Sequence, residues 1–234
     1  QDIKNHVTTI ERITNGKGWP NYVLGNHDQE RLATRVKPEQ ARAAAMLLLT
    51  LRGTPTLYYG DEIGKLNAAF HDNRCTDPQW KQDHTSVCRD RTRTPMQWNS
   101  EKNAGFSTSD DTWLPVDKDY QRVNVEAYSN DPESILNLYK KLIWLRKETP
   151  ALHSGSFEVI DVDHPSILAY RRTSQAGFGF GVVINFSSQT IELSVKELEG
   201  RLILSTGLDR SGEIGEKFTL NGNEGLIIKL EDDE

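Results

Sequence analysis

The sequence predicts an α/β part followed by an all-β part, with the change of character near Thr149-Pro150. Before that point, short apolar strands alternate with helices, which is typical of parallel α/β structure. After it, only strand-like runs separated by Gly and Asn are found, which favours an antiparallel sandwich. The 234 residues are enough for two domains, and we place these at residues 1–150 and 151–234.

The first part contains a strand–helix–strand unit. Residues 21–25, Asn-Tyr-Val-Leu-Gly, form a short apolar strand. Pro38 opens a helix that runs to Leu49 through strong helix formers, since proline is favoured at the first helical position. Residues 55–59 form a second short strand. A crossover helix between two strands predicts that the strands are parallel.

A long irregular stretch, residues 65–129, follows this unit and is dense in Asn, Asp, Thr and Pro. Loops of such length inside a domain are uncommon and are often functional. An amphipathic helix comes next, with Asp131 as its cap, Pro132 in its first turn and Pro150 marking its end. Seven strand-like runs complete the chain: 157–162, 167–172, 180–186, 191–195, 202–205, 217–220 and 226–230.

Charge and hydropathy exclude several classes of partner. The formal charge of -6 and the pI of about 5.6 argue against nucleic acid and anionic membranes. No apolar run approaches the roughly 20 residues of a membrane-spanning helix. We therefore predict no nucleic-acid partner and no transmembrane segment. The first residue is Gln1, so we expect a chain that begins partway through a larger protein, with a processed mature protein as the alternative.

Two cysteines, Cys75 and Cys88, lie in a polar stretch with a short spacing between them. This arrangement predicts one local disulfide in an oxidising compartment, with two reduced thiols as the alternative. The protein is accordingly expected to be secreted or exposed at a cell surface. One Asn-x-Ser sequon, at Asn185, is consistent with secretion, although it lies inside a predicted strand.

Three polar residues, Asn26-His27-Asp28, directly follow the first strand. In parallel α/β folds, this edge of the sheet is where ligands bind. A carboxylate at this edge can accept hydrogen bonds from substrate hydroxyls and stabilise a developing positive charge. The alternative is a simple turn in which Asp28 caps the next helix.

Three motifs carry a resemblance to a known family. Residues 23–29, Val-Leu-Gly-Asn-His-Asp-Gln, resemble the fourth recognised sequence region of the α-amylase superfamily of glycoside hydrolases. Residues 54–64, Thr-Pro-Thr-Leu-Tyr-Tyr-Gly-Asp-Glu-Ile-Gly, are similar to that family's eighth barrel strand and the turn after it. Residues 93–98, Arg-Thr-Pro-Met-Gln-Trp, match a hexapeptide of its α-glucosidase and oligo-1,6-glucosidase branch. The motifs occur in the family's order, and the sequence is also similar to insect maltases.

The resemblance implies a fold and a reaction. The family fold is a (β/α)8 barrel followed by an antiparallel β-sandwich, so residues 1–150 would supply the C-terminal portion of the barrel. The family hydrolyses α-glucosidic bonds with retention, using an aspartate nucleophile and a glutamate general acid/base about 5–5.5 Å apart. Both of these residues would lie upstream of this chain.

The resemblance also assigns roles to three residues. Asp28 matches the third catalytic carboxylate, which stabilises the transition state. His27 matches a histidine that donates hydrogen bonds to the bound glucose. Arg89 matches an arginine that contacts the terminal glucose, with a loop salt bridge to Asp90 or Asp83 as the alternative. A disulfide between the two cysteines would anchor the loop that bears Arg89.

Other residues receive structural expectations. Arg93 should pair with a carboxylate beneath the site, and Asp61 and Glu62 should lie near the pocket without acting on the substrate. Trp98 and Tyr58 are expected to pack inside the protein more than against sugar. No cofactor motif is found, and we expect no metal site because the histidines lack ligand spacing: His6, His27, His71, His84, His153 and His164.

The sequence therefore predicts a retaining glycoside hydrolase that releases terminal α-linked glucose from maltose, sucrose or short α-glucosides. This chain would carry only part of the active site and would be inactive alone. Two alternatives stay open: a non-enzymatic relative, such as an amino-acid transporter heavy chain or a receptor scaffold, and a glucosyl-transferring or isomerising member.

Overall fold

A computed structural model describes residues 2–14, 16–83 and 88–231. Up to residue 154 the regular elements are mostly helices: α1 (Asp2–Thr14), β1 (Asn21–Val23), α2 (Leu32–Val36), α3 (Ala41–Thr50), β2 (Thr54–Thr56), α4 (Pro78–Asp83), α5 (Val125–Ser129), α6 (Ile135–Glu148) and α7 (Pro150–Ser154). The strands β1 and β2 pair in a two-stranded sheet, with α3 between them in sequence. The predicted strand–helix–strand order is confirmed.

Eight strands follow, and all of their pairings are antiparallel, as predicted. They are β3 (Ser156–Ile160), β4 (Ile167–Thr173), β5 (Gly179–Asn185), β6 (Ile191–Ser194), β7 (Gly200–Ser205), β8 (Gly212–Ile214), β9 (Lys217–Leu220) and β10 (Gly225–Leu230). One sheet has the order β3-β4-β5-β10-β7-β8, and β6 pairs with β9 in a second sheet. The sequence analysis missed β8, because Ile214 is the single apolar residue of its three and shows no alternation.

The start of α6 differs from the prediction. Asp131 and Pro132 belong to a turn before the helix, in which the backbone N–H of Ser134 donates to the carbonyl of Asp131 at 3.1 Å. The cap is Ser134, whose hydroxyl accepts from the backbone N–H of Asn137 at 3.2 Å. Serine and aspartate are both good caps, so the sequence offered two starts for this helix.

The chain forms two compact units. The sheet unit comprises Gln1–Tyr22, Arg42–Pro55 and Leu138–Glu234, and the loop unit comprises Val23–Ala41 and Thr56–Asn137. These units interleave along the sequence, so the domain boundary at residue 150 stays a prediction. In the described part of the chain, no helix is long and apolar enough to cross a bilayer.

The central strands of the six-stranded sheet, β4, β5 and β10, are buried on both faces. One face contributes alternate residues such as Ile167, Ala169 and Val183 to an apolar cluster that also contains Leu193 of β6 and Leu220 of β9. Most side chains of these three strands on the other face are also buried, and this is the face that contacts α3 within the sheet unit. Continuous burial explains why these strands read as long apolar runs in the sequence.

Helix α3 packs directly on the other face of that sheet. The hydroxyls of Thr50 and Tyr170 are 2.5 Å apart. A Cβ built on Gly225, at the start of β10, would lie 2.6 Å from Sδ of Met46, so any other residue here would require the Met46 side chain to move. Seven consecutive residues of α3, 43–49, are buried, as expected for a helix that is apolar all round.

Two buried arginines satisfy the carbonyls at the C-terminal end of α3. Arg146 donates to the carbonyls of Leu49 and Leu51, each at 2.9 Å. Arg172 donates to the carbonyl of Thr50 and, from Nε at 2.9 Å, to that of Ser156. The last carbonyls of a helix have no partner inside it, and cations there interact favourably with the helix dipole.

The sequon at Asn185 does not fit a glycan. Asn185 is fully buried, and its Nδ2 donates to the carbonyls of Gln189 at 2.7 Å and Asn221 at 2.9 Å. A sugar attached to this nitrogen would replace one of its two N–H donors and has no space at this buried position. The glycosylation prediction is therefore wrong for this fold, because the motif says nothing about burial.

We predict that Arg172→Met lowers the free energy of unfolding by about 3 kcal/mol, because it leaves buried carbonyls without donors. Urea denaturation measures this change. Arg201→Met is the matched control, since Arg201 lies exposed on β7 of the same sheet, and it should change stability by less than about 0.5 kcal/mol. An equal effect of the two substitutions would contradict the role of Arg172.

Candidate active site

The turn after β1 presents the side chain of Asp28. The backbone N–H of Asp28 donates to Oδ1 of Asn26 at 2.9 Å, which closes a local turn. Helix α2 begins only at Leu32, and no side chain caps it. Asp28 is therefore not a helix cap, and its side chain is 46% exposed.

Two arginines bind the same oxygen of Asp28. Oδ1 accepts from Nη1 of Arg89 at 3.1 Å and from Nη2 of Arg93 at 2.9 Å. The other oxygen, Oδ2, lies 3.2 Å from Nε2 of His27. The structure thus brings together Asp28, His27 and Arg89, as the sequence predicted, and adds Arg93 as a direct contact. A one-turn 3₁₀ helix, Arg89–Thr92, sets the spacing of the two arginines.

Arg89 has its own counter-ion in Asp77. The two side chains form a bidentate pair, with Nε and Nη2 of Arg89 at 2.8 and 2.7 Å from the two carboxylate oxygens. The side chain of Asp77 is 1% exposed. The hydrogen bonds from Arg89 hold the pKa of Asp77 well below its usual range, and Asp77 in turn raises the pKa of Arg89. The alternative reading of Arg89 was a loop salt bridge with Asp90 or Asp83. The structure shows the salt bridge with Asp77 in place of Asp90, and the side chain of Asp83 lies outside the described residues.

Arg93 has a second buried carboxylate beneath it. Nη1 of Arg93 is 3.6 Å from Oδ1 of Asp90, and Oδ2 of Asp90 accepts from both the N–H and the hydroxyl of Thr76 at 2.7 Å. The prediction that Arg93 pairs with a carboxylate below the site agrees with this position. Nε of Arg93 also donates to the backbone carbonyl of His27 at 3.0 Å. Arg93 therefore holds both the backbone and the side chain of the turn after β1.

The cluster keeps a net negative charge. Three carboxylates, those of Asp28, Asp77 and Asp90, face two guanidinium groups, those of Arg89 and Arg93, which leaves one negative charge. Because each arginine has a buried counter-ion of its own, the charge of Asp28 is not cancelled. The two arginines orient the carboxylate through Oδ1.

A disulfide closes the loop between the two sides of this cluster. Cys75 and Cys88 are bonded, with a Cα–Cα distance of 6.3 Å, and both are buried. Asp77 lies just after the first cysteine and Arg89 just after the second. The disulfide therefore closes the loop that joins these two partners. A closed loop has fewer conformations in the unfolded chain, which favours the folded state. Asp90 lies close to both sulfur atoms, but sulfurs joined to each other are not thiolate ligands for a metal.

Asp61 lies under the turn, away from solvent. It is buried, and its Oδ2 accepts from the backbone N–H of Tyr58 at 3.2 Å. Burial raises the pKa of Asp61 to about 6. A Cβ on Gly25 would lie 3.1 Å from the same oxygen, so the chain passes directly over this carboxylate. Asp61 thus supports the turn from below.

The sequence analysis missed two buried cations, Arg31 and Lys65. Arg31 is fully buried, stacks on the rings of Tyr58 and Tyr59 at 5.1 and 4.8 Å, and donates to the carbonyl of Tyr59 at 2.6 Å. Lys65 donates to the carbonyls of Thr94 and Pro95, and burial lowers its pKa to about 7. Arginine and lysine usually read as exposed in a sequence, so no pattern indicated either position. The sequence analysis did not single out Asp77, which directly precedes Pro78 at the start of α4.

Of the two aromatic residues expected to pack inside the protein, one agrees with the expectation and one does not. Tyr58 donates to the carbonyl of Thr92 at 3.3 Å and is partly buried, in agreement with a packing role. Trp98 is exposed, which differs from the expectation that it packs inside. His84 lies outside the described residues.

A carboxylate beside an imidazole and two guanidinium groups, at the end of a strand, has the donors and acceptors that a polyhydroxyl ligand requires. A sequence profile described as the α-amylase catalytic domain matches residues 1–155, about two thirds of the chain. The α-amylase catalytic domain is a family of glycoside hydrolases. The chain belongs to the α-amylase family.

Several relatives are about equally similar to the chain. An oligo-1,6-glucosidase of Parageobacillus thermoglucosidasius is 34% identical, over 98% of this chain and 46% of its own length. Maltase 1 of Drosophila virilis is 34% identical, over 90% and 35%. The amino acid transporter heavy chain SLC3A1 of Homo sapiens is also 34% identical, over 94% and 32%. The chain spans less than half the length of these relatives.

Solved structures show the same likeness. The trehalulose synthase MutB from Pseudomonas mesoacidophila MX-45 superposes with a TM-score of 0.86 at 29% identity, over 97% of this chain and 46% of that one. The similar proteins therefore include a glucosidase, a maltase, a transporter subunit and a synthase. Membership of the family does not show which of these activities the chain has.

We predict that Asp77→Asn lowers the free energy of unfolding by about 2 kcal/mol at pH 7, because it removes the charged acceptor of Arg89. The folded-state pKa of Asp77 is depressed, so its contribution is fully present above about pH 4, the unfolded-state value, and is lost as the pH falls. The difference from wild type should therefore narrow between about pH 5 and pH 3.

The matched control is Asp72→Asn. Asp72 accepts from Arg91 at 2.7 Å in an exposed ion pair of the same loop. Exposed pairs contribute little, so this substitution should cost less than about 1 kcal/mol at every pH. A constant difference between Asp77→Asn and wild type across the pH range would contradict the assigned pairing.

Proposed function

We propose that the chain forms part of a retaining glycoside hydrolase that releases terminal α-linked glucose from maltose, sucrose or short α-glucosides. The observation that carries the proposal is the carboxylate of Asp28, oriented by two arginines and still carrying net negative charge. Residues 1–150 would form the C-terminal portion of a (β/α)8 barrel, and residues 151–234 a C-terminal β-sandwich domain.

In this proposal Asp28 stabilises the transition state. The anomeric carbon gains positive charge as the glycosidic bond breaks, and a fixed anion beside it is strengthened by a pocket that excludes water. An oriented carboxylate needs no rearrangement at that moment, because Arg89 and Arg93 already hold Oδ1. The nucleophile and the general acid would come from a part of the protein outside this chain. Hydrolysis then consumes one water and gives glucose and the leaving-group alcohol.

His27 and Arg89 would bind the glucose. Nη1 of Arg89 carries two N–H groups, of which one donates to Asp28; no acceptor for the second is found among the described residues, so we assign it to a sugar hydroxyl. The pair with Asp77 occupies the other edge of this guanidinium and fixes its plane. The imidazole of His27 is more exposed than Asp28 and can donate to a hydroxyl in its neutral form.

Two other functions are open to members of the family. A transporter heavy chain needs no oriented anion in a sugar pocket, and the ordered cluster around Asp28 favours the enzyme. A synthase that transfers or isomerises glucosyl groups would need the same carboxylate, so product analysis must separate it from a hydrolase. The disulfide supports an oxidising location, and we propose that the protein is secreted or exposed at the cell surface.

The test is Asp28→Asn in the complete protein that carries this chain. The amide oxygen can still accept from both arginines, while the negative charge is lost, so we expect kcat/KM for maltose to fall by about 10²–10³. Glucose release is measured enzymatically, and chromatography of the products from sucrose detects isomers or transfer products.

The matched control is Asp163→Asn, an exposed aspartate in the turn between β3 and β4. It should leave kcat/KM unchanged. A value for Asp28→Asn within about tenfold of wild type would overturn the role of Asp28. Absence of any sugar turnover by the wild type would favour the transporter-subunit function.

A further inference from the structure

Lys65 is a buried lysine that has no role in the reaction proposed above. It is 1% exposed, and its backbone N–H donates to the carbonyl of Gly60 at 2.9 Å. Lysine is almost never fully buried unless its ammonium group has partners. Here Nζ donates to two backbone carbonyls, those of Thr94 and Pro95. The ammonium group of Lys65 is therefore bonded to the backbone of one short segment.

This segment directly follows Arg93, one of the two arginines that orient Asp28. The carbonyl of Thr94 also accepts from the hydroxyl of Tyr59 at 2.7 Å, so two side chains hold the same backbone oxygen. Arg93 in turn donates from Nη2 to Oδ1 of Asp28 at 2.9 Å. Lys65 is thus connected to the carboxylate of Asp28 through the backbone of Thr94 and the side chain of Arg93.

The charge of Lys65 depends on pH. Burial lowers the pKa of Lys65 to about 7, and the guanidinium group of Arg31 acts in the same direction. Three carboxylates act in the opposite direction: Asp117, Asp119 and Glu62. The ordinary pKa of lysine is about 10.4, so Lys65 becomes neutral at a far lower pH than an exposed lysine. A neutral amine donates weaker hydrogen bonds than an ammonium group.

We propose that Lys65 is a positioning residue, whose ammonium group holds the backbone after Arg93 and so keeps Arg93 on Oδ1 of Asp28. The inference rests on the proposed function. When Lys65 loses its proton, its hydrogen bonds to the carbonyls of Thr94 and Pro95 weaken, and Arg93 holds the carboxylate less firmly. An anion stabilises a developing positive charge best when it is already fixed in place. The order of the Asp28 cluster therefore depends on pH through a buried residue.

The test is Lys65→Met in the complete protein, with kcat/KM for maltose measured between about pH 6 and about pH 9. Methionine fills similar space and removes the donors. At each pH, kcat/KM of wild type is divided by that of the variant, so that ionisations common to both proteins cancel. We expect a ratio of about tenfold at about pH 6 that falls to within about twofold at about pH 9. The midpoint should lie at about pH 7, where Lys65 loses its proton.

Stability should change with pH in the opposite direction. The pKa of Lys65 is lower in the folded than in the unfolded state, so between about pH 7 and about pH 10 the unfolded chain binds more protons. The free energy of unfolding of wild type, measured by urea denaturation, should therefore rise relative to that of Lys65→Met across this range. A residue with only a structural role would change activity and stability in the same direction, so opposite trends identify a positioning role.

Lys81→Met is the matched control, since Lys81 lies exposed on α4 of the same loop unit. Its ratio of kcat/KM to wild type should stay close to one at every pH. A ratio for Lys65→Met that does not change with pH would overturn the inference, and so would a ratio within about twofold at about pH 6.

Hydrogen exchange measured by mass spectrometry separates this inference from the proposed function. The backbone N–H of Arg93 donates to the carbonyl of Asp90 at 3.0 Å, and that of Trp98 donates to the carbonyl of Ala104 at 2.9 Å. Protection of these two amides should be lower in Lys65→Met than in wild type at about pH 6, and the difference should narrow by about pH 9. If the wild type turns over no α-glucoside, the proposed function fails, and equal protection in both proteins at both pH values would overturn the role of Lys65.

Discussion

Oδ1 of Asp28 accepts hydrogen bonds from two guanidinium groups, and each of these has a buried carboxylate on its far side. This alternation of charge fixes the positions of the arginines and of the turn after β1 within the loop unit. A buried ion pair is costly when one partner is missing, so Asp77 and Asp90 fix where the arginines lie. The arginines in turn fix the turn after β1. The result is a carboxylate that is rigid, partly exposed and still negatively charged.

Three covalent or backbone features make this arrangement possible. The disulfide joins the two ends of the short loop that separates Asp77 from Arg89. The short 3₁₀ helix that begins at Arg89 sends two arginines to one oxygen. The carbonyl of His27 accepts from Nε of Arg93 at 3.0 Å and from the hydroxyl of Thr92 at 3.2 Å. Side chains of the long irregular segment are thus bonded to the backbone of the turn after β1. An irregular segment without repetitive structure is therefore ordered by its polar contacts.

The sequence predicted the elements whose signal is local. The strands after residue 155 show apolar runs between glycine and asparagine, and seven of eight were placed to within a few residues; β8 has too few apolar residues to be seen. Asp28, His27 and Arg89 were selected by motif and lie together. What the sequence could not supply was tertiary: that Asp77 faces Arg89, that Arg31 and Lys65 are buried, and that Asn185 points inward. Buried polar residues of this kind are stabilised by partners elsewhere in the chain. The spacing of apolar residues in the sequence carries no information about such partners.

The end of α3 has a consequence for protein engineering. Its final carbonyls are capped by Arg146 and Arg172, which come from a helix and a strand about a hundred residues later. The C-terminal strands can therefore not be removed without effect on α3. A truncation before β4 would remove Arg172, which caps this helix, and the sheet face that covers it. Exchange of this region between homologues should succeed only when α3 and the two arginines are transferred together with the strands.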